Sequence, residues 1–302
     1  MKKYDLICTG LTFCDMVFQG LGRVPQPGEE IGCEAFAIHV GGAANTPMAA
    51  SKLGLRVAFV SAVGQDDPGA LVIAQMKRMG LDAAFVRQDA DVRTCVTAVL
   101  SVGGDRGFAS YFAEQKYDRL LEGLEAAASQ TKHLHASLLD LMELPLVSLA
   151  QKHGCTLSVD AAFAEAIPEN LSRLRGVDVF FLNRDEMQRM TGEREPLRAL
   201  EVLRTYVGHI VLKLGDEGSL CLRDGQIIRQ AAYPVGKVVD TTGAGDCFCA
   251  GYLFALDRGM SAADCLCYAN AAGSVNVRFV GGMDERMSEQ AVRNVISGRE
   301  PF

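Results

Sequence analysis

Long apolar runs are missing from this chain: none approaches the roughly 18 consecutive apolar residues of a bilayer-spanning helix. The opening MKKYDLICTG meets an acid at Asp5 before a signal-peptide core is complete, so the expected compartment is the cytoplasm. Positive charge is also scarce. Thirty Lys and Arg stand against 37 Asp and Glu, a net charge of −7, which argues against binding a polyanionic duplex. Paired metal ligands are lacking too: the ten cysteines contain no C-x-x-C, and the five histidines form neither H-x-x-x-H nor H-E-x-x-H. The C-x-C pairs Cys247/Cys249 and Cys265/Cys267 fall in helical patterns where positions i and i+2 diverge, so the cysteines are expected to be small core residues of a reducing compartment. Finally, G-x-x-x-x-G-K-[ST], G-x-G-x-x-G and G-x-S-x-G are absent. The missing G-x-G-x-x-G after the first strand counts against a Rossmann oxidoreductase.

What is present is an ordinary globular composition. The 302 residues are 49% hydrophobic and 22% charged, enough chain to bury about 75% of its unfolded surface without disulfides or metal. Short apolar runs at Tyr4–Thr9, 57–63, 133–139, 156–159, 177–182 and 209–214 predict buried strands. Helical patterns at 45–53, 70–79, 144–153 and 196–206 lie between them, the first three closed by Gly54, Gly80 and Gly154. This alternation predicts an α/β fold with a mostly parallel sheet covered on both faces. Two stretches, 16–40 and 94–112, instead alternate polar and apolar residues around Gly/Pro turns at Pro25-Gln26-Pro27-Gly28 and Gly103-Gly104. They are expected to form antiparallel strands, either a small lid over the site or an extra sheet edge or dimer surface.

Two glycine-rich elements carry the chemistry. Asp240-Thr241-Thr242-Gly243-Ala244-Gly245-Asp246 leads into an apolar helix, and small residues there expose amides at a first helical turn, where the positive end of the dipole holds an anion. An acid at Asp246 either complements that dipole or faces a reacting hydroxyl. The second element, Gly41-Gly42-Ala43-Ala44-Asn45, permits close approach of a polyhydroxy ligand, or is a tight turn with Asn45 as the N-cap.

At these two elements the chain resembles the PfkB family of carbohydrate kinases, with Pro47 standing where a small residue is usual. Further motifs follow in the family's order: Gly10 to Asp15, Pro25 to Glu29, Asn183-Arg184-Asp185-Glu186, Lys213-Leu214-Gly215-Asp216-Glu217-Gly218, and Asn270. The resemblance implies a ribokinase-like three-layer α/β/α domain spanning 1–302 with a small β-sheet lid. It implies transfer of the γ-phosphate of ATP to a sugar hydroxyl, with Asp246 as base and Gly243, Ala244 and Gly245 forming the anion hole. Asp15, Gly41, Gly42 and Asn45 would bind the sugar. Asn183, Glu186, Lys213, Gly215, Gly218 and Asn270 would serve the nucleotide, with Glu186 holding Mg²⁺ through water. Backbone near Asp240, Thr242 and Gly281 would hold a monovalent cation such as K⁺, and the lid would pair two subunits in a homodimer. A catalytically silent sugar or nucleotide sensor is the competing reading.

The family's carboxylate-sugar kinases carry D-x-N-x-R after a central strand. Here that stretch is Asp160-Ala161-Ala162-Phe163-Ala164, so furanoses and hexoses come first. A nucleoside is second, because Phe13, Phe18, Phe36 and Phe108 either stack on a base or fill the lid's own core.

Overall fold

The computed structural model describes residues 2–102, 105–162 and 167–302. Among the described residues thirteen strands follow in chain order: β1 Tyr4–Thr9, β2 Thr12–Leu21, β3 Ala35–Gly42, β4 Val57–Gly64, β5 Val86–Asp89, β6 Cys95–Val102, β7 Asp105–Tyr111, β8 Thr131–Ser137, β9 Thr156–Asp160, β10 Val179–Asn183, β11 Ile210–Lys213, β12 Ser219–Arg223 and β13 Gln226–Gln230. Nine of them form one sheet in the order β13-β12-β11-β10-β9-β8-β1-β4-β5. Every pairing from β11 to β5 is parallel; β12 and β13 add an antiparallel edge.

Strand residues alternate between two cores, which explains why these runs are apolar throughout rather than every second residue. Leu6, Cys8, Phe59 and Phe181 belong to one core, roofed by helices Ala244–Asp257, Ala262–Asn276 and Asn45–Lys52. Ile7, Ala58, Val60 and Phe180 belong to the other, under helices Tyr117–Ala128, Leu146–His153 and Pro196–Leu203. The result is the three-layer α/β/α arrangement expected from the sequence.

The remaining strands form a second sheet, β3-β2-β6-β7. Here one expectation needs correction. β2 pairs antiparallel with β3, and β6 with β7, but β2 and β6 run parallel, because they come from separate excursions of the chain. The sheet also starts earlier than residue 16 and takes in Gly41 and Gly42. The Gly103-Gly104 turn lies outside the described residues, as do Phe163 and Ala164.

Other differences are local. The run 133–139 stops being a strand at Ser137, whose hydroxyl and Asp140 form a reciprocal cap that starts helix Leu138–Glu143. The β12–β13 hairpin escaped notice although Asp224 and Gly225, both at positive φ, supply the turn that such a hairpin needs. All ten cysteines are free; seven are buried, whereas Cys33 is exposed rather than in the core.

Candidate active site

The carboxyl ends of β9, β10 and β11 bring Asp160, Asn183 and Lys213 to one edge of the large sheet, where ligands of open α/β sheets bind. Helix Ala244–Asp257 begins above that edge. Asp246, in its first turn, accepts a 3.0 Å hydrogen bond from Nδ2 of Asn45, 201 residues away, and the Thr46 hydroxyl donates to its backbone carbonyl at 3.4 Å. The two glycine-rich elements therefore meet at the acid. Burial and the nearby charge of Asp160 push the Asp246 carboxyl up to about 6, against the opposing pull of Asn45 and Lys213.

Asn45 is not the N-cap: Ala44 occupies that position without a side-chain bond, and Asn45 is the first helical residue. Its amide is thereby free to reach Asp246. Its Oδ1, in a residue only 4% exposed, has no partner among the described residues. A Cβ on Gly282 would overlap the Asn45 amide, so glycine is needed there. Pro47 is tolerated because the first-turn N–H that it lacks has no intrahelical acceptor.

Beneath Asp246 lies a buried charged cluster. Lys213 Nζ bonds both oxygens of Asp160, at 2.7 and 3.0 Å, and the Cys249 thiol donates to Asp160 at 3.2 Å. Burial works against the Lys213 charge, but Asp160, Cys249 and Glu186 outweigh it and raise its pKa. Glu186 is 2% exposed and forms a reciprocal cap with Asn183, each side chain accepting from the other's backbone N–H at 2.7 and 2.9 Å.

The glycine-rich turn expected to form the anion hole divides into two parts. Gly243, the N-cap, has φ +69°, and a Cβ there would run into the carbonyl of Gly282. Gly245 has ordinary helical φ, and a Cβ would meet only Lys213, at 3.5 Å from Nζ. A Cβ is therefore barred by backbone angle and contact at Gly243, whereas at Gly245 it would only take up space beside Lys213. Together with Ala244 they start a helix whose cap makes no side-chain hydrogen bond.

The small sheet supplies Asp15. Strand register sets His39, Asp15, Thr97 and Ser110 in one row across β3, β2, β6 and β7. Burial raises the Asp15 carboxyl to about 6 despite a hydrogen bond from Thr97. Gly41 makes room for this carboxylate, which a Cβ would overlap, and Gly42 turns the chain at φ +68°. Phe13 packs edge-on against Phe112, just past β7, and Phe18 packs tilted against Phe36, so these rings pair with one another in and beside the small sheet. Phe108 is 60% exposed.

Farther along the edge, Gly218 sits against the backbone of Gln230 and Ala231, whose carbonyls accept from Asn270 at 3.3 Å. Gly215, at φ +64°, opens the short turn that ends at Gly218. Asn270 and the turn are therefore one block.

A profile of the pfkB family carbohydrate kinases matches residues 3–288. The chain belongs to that family. It is 26% identical to a ribokinase of Arabidopsis thaliana over 96% of this chain and 80% of the relative. It is 30% identical to a nucleoside kinase of Methanothermobacter thermautotrophicus over 92% and 90%. In fold it matches the Arabidopsis thaliana ribokinase complexed with ribose and ATP (TM-score 0.82, 24% identity, 97% of this chain and 98% of that one). It also matches the nucleoside kinase of Methanocaldococcus jannaschii (TM-score 0.81, 20% identity, 99% of both).

Within this pfkB kinase, the monovalent-cation expectation meets an occupied corner. The Asp240 carboxylate accepts from Thr242 N and Oγ1, both at 2.7 Å, from Gly281 N at 3.0 Å, and from the guanidinium of Arg106. The Thr242 carbonyl accepts from Asn276 Nδ2 at 2.7 Å. One acceptor of Asn276, Oδ1, is without a partner among the described residues, but a single neutral oxygen does not replace the committed carboxylate. The Asp240 carboxylate and the Thr242 carbonyl are thus already engaged, which does not fit a K⁺ bound through them.

Sequence reasoning missed Asp160, Cys249, Asn276 and Arg106 as site residues. Asp160 had a signal in its place at the end of a buried strand; Arg106 had none beyond its place in the alternating segment.

Proposed function

We propose that this pfkB carbohydrate kinase transfers the γ-phosphate of ATP to a hydroxyl of a furanose or hexose, with Asp246 as the proton acceptor. The observation that carries this reading is the Asn45–Asp246 contact, which joins the two glycine-rich elements at a carboxylate beside the cradle of Gly243, Ala244 and Gly245. Asn45 holds Asp246 in place, and Asp15 with the free Oδ1 of Asn45 receives substrate hydroxyls. Phosphoryl transfer asks chiefly for positioning and charge neutralisation. Uncapped amides at the helix start supply positive potential for the phosphate, beside a Lys213 ammonium that Asp160 already pairs. A weak base suffices at Asp246, because the hydroxyl proton is released late, as its oxygen bonds to phosphorus.

ATP fits: the open side of Gly245 is a space that a Cβ would fill. Mg²⁺ fits by charge. Asp160, Glu186 and Asp246 against Lys213 leave two negative charges in excess once Asp246 is ionised, where a polyanion must enter. No cluster of three or more ligating side chains occurs among the described residues, so Mg²⁺ would arrive on the phosphates, with Glu186 acting through water. When bound, it would neutralise charge on the β- and γ-phosphates.

Residues 1–302 are read as one kinase unit, with the small sheet as a lid that excludes water. Its exposed rings Phe36, Phe108 and Phe112 suit pairing with the lid of a second subunit in a homodimer. No described helix is long and apolar enough to cross a membrane; the cytoplasm is the proposed compartment.

A panel of furanoses, hexoses and nucleosides with ATP and Mg²⁺, read by ADP release, tests the reading. Turnover with none of them overturns it in favour of a silent sensor. The nucleoside kinase relative favours a second reading, in which a nucleoside outcompetes every free sugar in the same panel.

Acid dependence is a further expected result. With Asp15 and Asp246 both near 6, kcat/KM for the sugar should be level above about pH 7 and fall below 6 with a slope approaching two. A profile flat to pH 5 would remove both carboxylates from the reaction.

Asp15→Ala is expected to weaken sugar binding by about 1.5 to 3 kcal/mol, the range for a hydrogen bond to a charged group, and ATP binding far less. Calorimetry with each ligand checks it; equal losses for both would assign Asp15 a structural role.

A further inference from the structure

We infer that the guanidinium of Arg106, carried on the lid, stands where a monovalent cation would neutralise Asp240, so that closing the lid and completing the anion loop are one event. This makes Arg106 a positioning residue, and it rests on the kinase reading above.

Arg106 lies on β7, the edge strand of the lid, opposite Ser101. Arg106, Phe108 and Ser110 share one face of β7, and register places Ser110 in the row of Asp15. The lid face that presents Asp15 to the substrate therefore also presents Arg106. Its guanidinium bonds Asp240 and the Thr241 hydroxyl, 134 and 135 residues away, on the loop that leads directly into Gly243. In the ion pair the Arg106 and Asp240 side chains are 17% and 8% exposed, while Thr241 lies at the surface.

A carboxylate at that depth requires a counter-charge. The backbone donors of Thr242 and Gly281 are neutral, so a full positive charge must come from the lid or from a bound ion. A second cation beside Asp240 would face the guanidinium across a buried space. The same carboxylate binds Gly281 N, and Gly281 packs against His39 of β3. The Asp240 corner is thus gripped from both edges of the lid. With the lid open, Arg106 withdraws, Asp240 loses its counter-charge, and the amides of 242–246 lose the arrangement that receives a phosphate.

The test compares wild type, Arg106→Ala and Arg106→Lys in KCl and in choline chloride at equal ionic strength. Wild-type kcat is expected to agree within about twofold in the two salts. Arg106→Ala is expected to lose about 30- to 100-fold in kcat in choline, a transition-state effect, and to recover at least tenfold in KCl as the ion takes the vacated charge. Arg106→Lys should fall between. A wild type that needs K⁺, or an Arg106→Ala variant that KCl does not restore, overturns the inference. Hydrogen exchange without substrate separates this from the kinase reading itself. Arg106→Ala should expose the Thr242 and Gly281 amides in choline and regain protection in KCl, whether or not a sugar is found; unchanged exchange in choline also overturns the inference.

Discussion

Replacement of Asp246 by Asn is expected to lower kcat by at least about 10²-fold and, at neutral pH, to raise the melting temperature of the protein. The first effect follows from losing the proton acceptor. The second follows from the position of the carboxyl, whose burial near Asp160 raises it to about 6. A group protonated more readily in the folded chain than in the unfolded one favours folding below its unfolded pKa, near 4, and loses that contribution as the pH rises through 6. Above 6 the folded protein carries a charge it would be more stable without, a penalty of about 2 to 3 kcal/mol that the neutral amide removes. The gain in stability should therefore be full at pH 8 and vanish near pH 4. Turnover per folded molecule and melting curves at both pH values check the pair. Wild-type turnover in the variant would exclude Asp246 as base, and a lowered melting temperature at pH 8 would show that its charge is well solvated.

The second large effect separates the two glycines of the cradle. Gly245→Ala puts a methyl group beside Lys213 at an ordinary contact distance and at helical φ, where alanine is favoured over glycine by about 0.5 to 1 kcal/mol. The variant is expected to melt no lower than wild type. That methyl group nevertheless stands where the phosphate must approach the amides, so kcat should fall about 10- to 100-fold, more than KM for ATP rises. Gly243→Ala should do the reverse, because its Cβ collides with the Gly282 carbonyl at a φ that side chains rarely adopt; a loss of about 3 kcal/mol or more is expected. Full turnover in folded Gly245→Ala would sink the anion-hole assignment.

Much of this architecture was legible along the chain. The runs at Tyr4–Thr9 and 57–63 are strands within a residue or two, because a strand buried on both faces has to be apolar at every position. The helix beginning at Ala244 was equally plain from its glycine-rich entry. The small sheet was harder: two amphipathic segments announce a sheet, but the parallel pairing of β2 with β6 depends on how distant excursions meet, and no local residue encodes it.

By itself the sequence determined the inventory and its order: two glycine-rich turns, an acid after the second, and alternating strands and helices that give a mostly parallel sheet. These are local properties, carried by hydrophobic period, glycine placement and helix starts. Only the tertiary structure decided which charges meet. Asn45 reaches Asp246 across 201 residues, Lys213 is paired with Asp160 across 53, and Arg106 reaches Asp240 across 134. Electrostatic partners are selected by proximity in space and by the burial that makes an unpaired charge costly, and neither quantity has a signature in residue spacing.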